Sequence, residues 1–105
     1  MAGTSLAGLA TEAEFQEAVV EYARLRKWRA YHTYDSRRSA PGFPDLVLVR
    51  DGRLVFVELK AEKGQLSAAQ HAWMTALGLV ELVNEHVETF VFRPSDWVQI
   101  EQVLR

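Results

Sequence analysis

The 105-residue chain contains no cysteine, which excludes a disulfide framework and any thiolate-held metal. No apolar run approaches the roughly 20 residues that a bilayer-spanning helix needs. The opening MAGTSLAGLA lacks the basic start of a secretory signal, so the expectation is a cytoplasmic protein. Its histidines, His32, His71 and His86, have no metal-ligand spacing, which argues against a histidine zinc site. Positive charge is not in excess either, since the formal net charge is −2. Repeats, low-complexity tracts and internal linkers are also missing. What remains is an ordinary globular composition, 49% apolar and 25% charged. It fits a flexible lead-in over residues 1–10 and a single domain over residues 11–105.

The charge is unevenly placed. Residues 24–38 carry six basic side chains (Arg24, Arg26, Lys27, Arg29, Arg37 and Arg38) against the single acid Asp35. Residues 81–105 carry five acids and two arginines. Such polarity suits a molecule that offers one basic face to a polyanion. A solvated helix end explains the same run without any partner.

Thr11-Glu12-Ala13-Glu14 has the form of a capping box and opens a helix to about Lys27. Its apolar stripe is Phe15, Ala18, Val19, Tyr22 and Ala23. Residues 28–34, WRAYHTY, read as a strand. Residues 36–42 form a polar loop. Two apolar runs then flank Asp51-Gly52 as a hairpin. Ser67-Ala68-Ala69-Gln70 opens a second helix with Trp73, Met74 and Leu77 on one face. Gly78 is a possible stop, yet the following LVELVNE can continue it. Thr89–Phe92 reads as a short strand. Ser95 is placed to cap a last helix that packs through Val98, Val103 and Leu104. The order α-β-β-β-α-β-α describes one small α/β domain, a mixed central sheet flanked by helices.

The hairpin carries the chemistry. An Asp-Gly pair favours a two-residue type I′ turn. That turn sets Arg50 against Arg53 and, counting outward, Asp45 against Glu58 as a close non-hydrogen-bonded pair. Like charges so placed repel, and a divalent cation removes the conflict. Period two places Lys60 on the same face as Glu58. Both hairpin faces are apolar, so the strands are expected to be central and covered by helices on both sides. Pro44 faces Leu59 and has no N–H, so the Leu59 carbonyl is expected to lack its ladder donor and to join a hard-cation site. A salt bridge among Asp45, Glu58 and Lys60 leaves the second acid unexplained.

Pro44-Asp45 followed by Glu58-Leu59-Lys60 resembles the PD-(D/E)xK nuclease superfamily. With Gly42-Phe43, Gly64 and Gln70 added, the chain is similar to the VRR-NUC domain in its compact, stand-alone phage and bacterial form. The resemblance runs from about Glu12 to the last helix. It implies a restriction-endonuclease-like core in which Asp45, Glu58 and the Leu59 carbonyl ligate Mg2+ or Mn2+ and Lys60 positions or activates water. It also implies a further acid on the first helix. Of three candidates, Glu12 flanks the core stripe, Glu17 points away, and Glu14 points away and is available to the cap. Glu12 is therefore chosen, although a charge at a helix N-terminus needs no such role. Gln70 has both a capping place and a catalytic place in the family pattern. His32, Tyr34, Arg37, Arg38 and Lys63 are candidate DNA contacts.

Residues 78–88 depart from the pattern in being longer and more acidic than the usual link. The expected activity is metal-dependent hydrolysis of DNA phosphodiesters, structure-specific and aimed at branched DNA such as a four-way junction. A homodimer is expected, because a domain this small needs two copies to cut a two-fold junction symmetrically. The setting is the cytoplasm of a bacterium or a phage-infected cell, with no membrane and no organic cofactor. The alternatives are a flap or duplex nuclease, a nuclease fold that only binds nucleic acid, and a protein-docking module.

Overall fold

The structure, a computed structural model, describes residues 11–33 and 40–105. The lead-in 1–10 and the candidate contacts Tyr34, Arg37 and Arg38 lie outside the described residues. Helix α1 spans Glu12–Leu25, strand β1 Arg29–His32, β2 Leu46–Arg50, β3 Arg53–Leu59, helix α2 Ala68–Leu82, β4 Val87–Phe92 and α3 Trp97–Leu104. A 3-10 turn, Pro94–Asp96, precedes α3.

The capping box at α1 forms as expected. Glu14 N–H donates to Thr11 Oγ1 over 3.1 Å, and Thr11 N–H donates to Glu14 Oε1 over 2.8 Å. The helix ends at Leu25, slightly before the expected Lys27. Lys27 turns left-handed at φ 73°, and Trp28 N–H reaches back to the Ala23 carbonyl over 3.0 Å. That reversal sends the chain into β1.

The sheet order is β1-β2-β3-β4. The first three strands are antiparallel, and β4 runs parallel to β3. Parallel neighbours need a long crossover, and α2 supplies it. The hairpin register is the one expected, from Arg50↔Arg53 to Leu46↔Val57. Asp51 and Gly52 both have positive φ, 50° and 81°, as a type I′ turn requires.

One face of the sheet is fully covered. Leu46, Leu48, Val55, Val57, Leu59 and Phe92 form a buried core with Phe15, Val19 and Ala23 of α1 and Ile100 and Leu104 of α3. Each of the Leu, Val, Ile and Phe side chains among them contributes about 1.5–3 kcal/mol of burial. The other face is covered less than the sequence implied. Helix α2 packs beside it mainly over β4, no residue of α2 is fully buried, and Val49 stays exposed. The hairpin is central, but only one helical layer seals it.

Three smaller expectations are corrected. Strand β4 starts at Val87 rather than Thr89, and helix α2 runs through Gly78 to Leu82, the continuation that the sequence left open. Ser95 does not cap α3: its N–H donates to Glu62 Oε1 over 3.0 Å, while Asp96 Oδ2 accepts from Arg93 N–H over 2.7 Å. Val98 is exposed, and Ile100 takes its expected place in the core.

Candidate active site

The site lies at the open end of the hairpin, where the β2–β3 ladder stops at Leu46↔Val57. The expected pairing of Pro44 with Leu59 is replaced by side-chain bonds. Pro44 cannot donate, and its carbonyl instead accepts from Thr33 Oγ1 over 3.3 Å. Leu59 N–H donates to Asp45 Oδ2 over 2.8 Å. Thr33 N–H donates to the Asp45 carbonyl over 3.0 Å. Asp45 is thus clamped through its backbone by the end of β1 and through its carboxylate by β3.

Glu58 sits across from it, 1% exposed, the one charged residue in the core of the described structure. Its Oε2 accepts from Gln70 Nε2 over 2.9 Å. Its Oε1 is buried with no hydrogen-bond partner. Burial, then the Asp45 charge and a bond to Asp45 in the protonated state, push the Glu58 carboxyl up to about 8. Lys60 opposes that shift and Glu12 adds slightly to it. A buried carboxylate oxygen without a donor, next to a second carboxylate, is costly. A proton shared with Asp45 relieves it, and so does a cation.

Gln70 holds both of its expected places at once. Its Oε1 accepts from Ser67 N–H over 2.8 Å, and its N–H donates to Ser67 Oγ over 3.1 Å. The same amide turns its Nε2 toward Glu58. The cap therefore aims the amide, and the amide orients Glu58. Lys60 leaves the ladder after its N–H donates to the Phe92 carbonyl over 3.0 Å. Its stem passes Gly64, where an added Cβ would lie 3.4 Å from Lys60 Cδ.

Gly42 brings the loop and α2 together. It has φ 86°, and a Cβ there would meet the Ala69 backbone carbon at 2.4 Å. Only glycine permits both the conformation and the approach. Phe43 follows and packs edge-on against Trp73 of α2 and Phe56 of β3, at 5.0 and 6.2 Å between centroids. The result is a cavity of about 350 Å3 whose lining includes Thr33, Gly42, Phe43, Asp45, Ser67 and Gln70. Thr33 and the Phe43–Trp73 contact carried no signal in the sequence, because both depend on where β1 and α2 meet the loop.

The remaining candidates are dispersed. Glu12 is exposed in the first turn of α1 and reaches Glu58 only through its charge. Among the described residues, no group of three His, Cys, Asp or Glu side chains is placed to hold a metal ion. His32 lines a separate groove of about 830 Å3 against Gln16, Glu17 and Val20 of α1. Lys63 is exposed in the turn after β3.

Asp45 and Glu58 nevertheless form a donor set suited to a hard divalent cation. Both supply carboxylate oxygens, one of which is buried without a partner. The residues present therefore fit such an ion.

The model of the VRR-NUC domain family matches residues 3–87 of the chain. No curated protein matches it.

Proposed function

The chain belongs to the VRR-NUC domain family, which makes it a nuclease domain with DNA as the implied substrate, and on that premise we propose that it is a divalent-metal-dependent, structure-specific endonuclease of branched DNA. The observation that carries the metal dependence is Glu58 Oε1, buried and without a donor beside a second carboxylate. A shared proton or a hard cation satisfies a buried acid in that state, and the nuclease family favours the cation.

Asp45 and Glu58, with the Leu59 carbonyl, would hold Mg2+ or Mn2+, and Glu12 would join through water. The ion would supply Lewis-acid stabilisation of a phosphoryl oxygen and lower the pKa of water in the site. The chain's own residues do the rest. Leu59 N–H fixes the Asp45 carboxylate and Gln70 fixes that of Glu58, so neither must reorganise when charge develops. Lys60 places a positive charge beside the scissile phosphate. There it orients the water that attacks phosphorus and offsets the charge that builds as the P–O bond to the leaving oxygen breaks. His32, Tyr34, Arg37, Arg38 and Lys63 would hold flanking phosphates.

Cutting a two-fold junction symmetrically calls for a homodimer. The deciding experiment presents four-way junction, flap, duplex and single-stranded DNA with magnesium or manganese, beside a Lys60→Ala control. Junction cleavage that needs metal and disappears in the control is expected. Preferred cutting of flaps or duplex would replace the substrate class. Binding without cutting on any substrate would overturn catalysis itself.

A further inference from the structure

Residues 60–67 join β3 to α2 and form neither helix nor strand. Lys60 opens this connection, and Gln70 lies three residues past its end. Within it, Gly64 N–H donates to the Ala61 carbonyl over 3.0 Å. An irregular segment needs further anchors to keep one conformation. Residues 92–95, where β4 ends, supply three. The Phe92 carbonyl accepts from Lys60 N–H over 3.0 Å. Arg93 Nη2 donates to the Gly64 carbonyl over 2.6 Å. Ser95 donates to the Glu62 carboxylate through its N–H, over 3.0 Å, and through its hydroxyl. All of residues 92–95 lie beyond the span 3–87 that the family model matches, so the family assignment gives them no role.

Arg93 differs from its neighbours. Phe92 acts through a main-chain carbonyl, which any residue supplies, and Ser95 is exposed. Arg93 is half-buried, and its backbone is fixed on both sides. Its N–H donates to Asp96 Oδ2 over 2.7 Å, and its carbonyl accepts from Asp96 N–H over 2.8 Å. The guanidinium thus leaves a rigid base and makes a charge-assisted bond to Gly64. Gly64 is the residue that the Lys60 stem passes, with Lys60 Cδ 3.4 Å from where a Cβ would stand. The Arg93 charge also stabilises the Glu62 carboxylate. A guanidinium engaged by a carbonyl and a nearby acid is better placed to hold a turn than to bind a DNA phosphate.

We propose that Arg93 is a positioning residue for Lys60. By pinning the Gly64 carbonyl it fixes the turn against which the lysine stem lies, and so the direction in which the ammonium reaches the scissile phosphate. The inference rests on the role given to Lys60 above. A displacement of about 1 Å in a group that acts on the reacting atoms costs on the order of a hundredfold in rate. Ground-state binding is spread over many phosphates and does not depend on that one direction.

The test separates rate from binding. Single-turnover cleavage is measured in magnesium on a DNA that the wild-type protein cuts, and affinity for the same DNA by fluorescence anisotropy without metal. Arg93→Met keeps the aliphatic stem and removes the donor. It is expected to slow cleavage about ten- to a hundredfold, with affinity within about twofold of wild type. Arg93→Lys, which keeps a donor, is expected to recover most of the loss. Arg93→Gln takes the place of Arg93→Met if circular dichroism shows that Arg93→Met does not fold. Combined with Lys60→Ala, Arg93→Met should slow cleavage no further than Lys60→Ala alone, because residues that act through one group are not additive. Wild-type rates from Arg93→Met, with Lys60→Ala slowed at least about a hundredfold, would overturn the inference and leave the Lys60 reading standing. Full activity of Lys60→Ala would overturn that reading itself. A loss that multiplies with that of Lys60→Ala would make Arg93 a general scaffold, and one that appears as weaker, salt-sensitive binding would make it a phosphate contact. Either result would overturn the positioning role.

Discussion

The two ends of one hairpin pose the same electrostatic problem and resolve it differently. At the turn, the register sets Arg50 opposite Arg53. At the open end, the chain sets Asp45 against Glu58. Both are like-charge pairs, which the fold must compensate. The arginines are largely provided for, with Arg50 Nε alone buried without a hydrogen-bond partner, 3.6 Å from Asp51 Oδ2. Arg53 makes a two-pronged ion pair with Glu88, with both bonds at 2.7 Å. Arg50 donates to the carbonyls of Arg26 and Arg105, each at 2.7 Å. Both guanidinium groups lie over Trp28, at 4.5 and 4.9 Å from the ring centre, and Trp28 Nε1 donates to the Leu104 carbonyl over 2.8 Å. The turn end thus binds α1, β4 and α3 together. The acids at the other end receive two donors, Leu59 N–H and Gln70 Nε2, and one buried oxygen still has none. A repulsion that is compensated inside the chain is structural. The oxygen left without a donor between two acids is the observation on which the proposed cation site rests.

The contrast breaks if substitutions at the two ends have the same effect. The largest expected effect is on catalysis. Asp45→Ala, Glu58→Ala and Lys60→Ala should each lower cleavage at least about a hundredfold, the scale of losing a preorganised charge, with circular dichroism unchanged. Full activity of Lys60→Ala in magnesium would remove its assigned role.

The second effect is on the pH dependence of stability. Glu58 rises from an ordinary 4.5 to about 8 in the folded chain. Between those values the folded protein keeps a proton that the unfolded chain releases, so stability falls as pH rises through that window. Its favourable contribution is complete below 4.5 and lost above 8. Denaturant titrations in EDTA should show the fall for the wild type and a flatter profile for Glu58→Gln, and magnesium should restore stability at pH 8. Parallel profiles for the two proteins would contradict the burial of an unrelieved acid.

Gly42→Ala comes next. It forces a Cβ into the Ala69 backbone and should cost about 2–4 kcal/mol, the scale of overpacking combined with an unfavourable φ. Chemical denaturation measures that cost, and a loss of cleavage should accompany it. The smallest change is Arg53→Ala, which removes the Glu88 pair and should destabilise by about 1–3 kcal/mol. Cleavage per folded molecule should stay at the wild-type level. An activity loss matching that of Lys60→Ala would erase the distinction between the two ends.

The helices, the strand order along the chain and the hairpin register were legible because each rests on local signals. Thr11 and Ser67 cap their own helices, and Asp51-Gly52 sets its own turn. Asp45, Glu58 and Lys60 followed from the register by counting. The exceptions are instructive. Ser95 has the right identity for a cap, but it lies inside the Pro94–Asp96 3-10 turn, and Glu62, 33 residues earlier, holds both its N–H and its hydroxyl. The pairing of Pro44 with Leu59 assumed that the ladder continued, whereas the Asp45 side chain takes the Leu59 N–H and the ladder stops at Leu46↔Val57. Glu12 was chosen by its position on a helical wheel, which gives direction but not distance.

The sequence by itself determined which residues are charged, where the turns fall and, through a two-residue loop, which acid faces which. Those are short-range matters of backbone conformation and side-chain period. Tertiary structure alone decided how each charge is answered. It put Glu88 and the last carbonyls against the arginines, and it laid Gly42 on α2 so that Gln70 meets Glu58. It also left one buried carboxylate oxygen without a donor from the chain, because burial and hydrogen-bond partners come from elements distant in the chain.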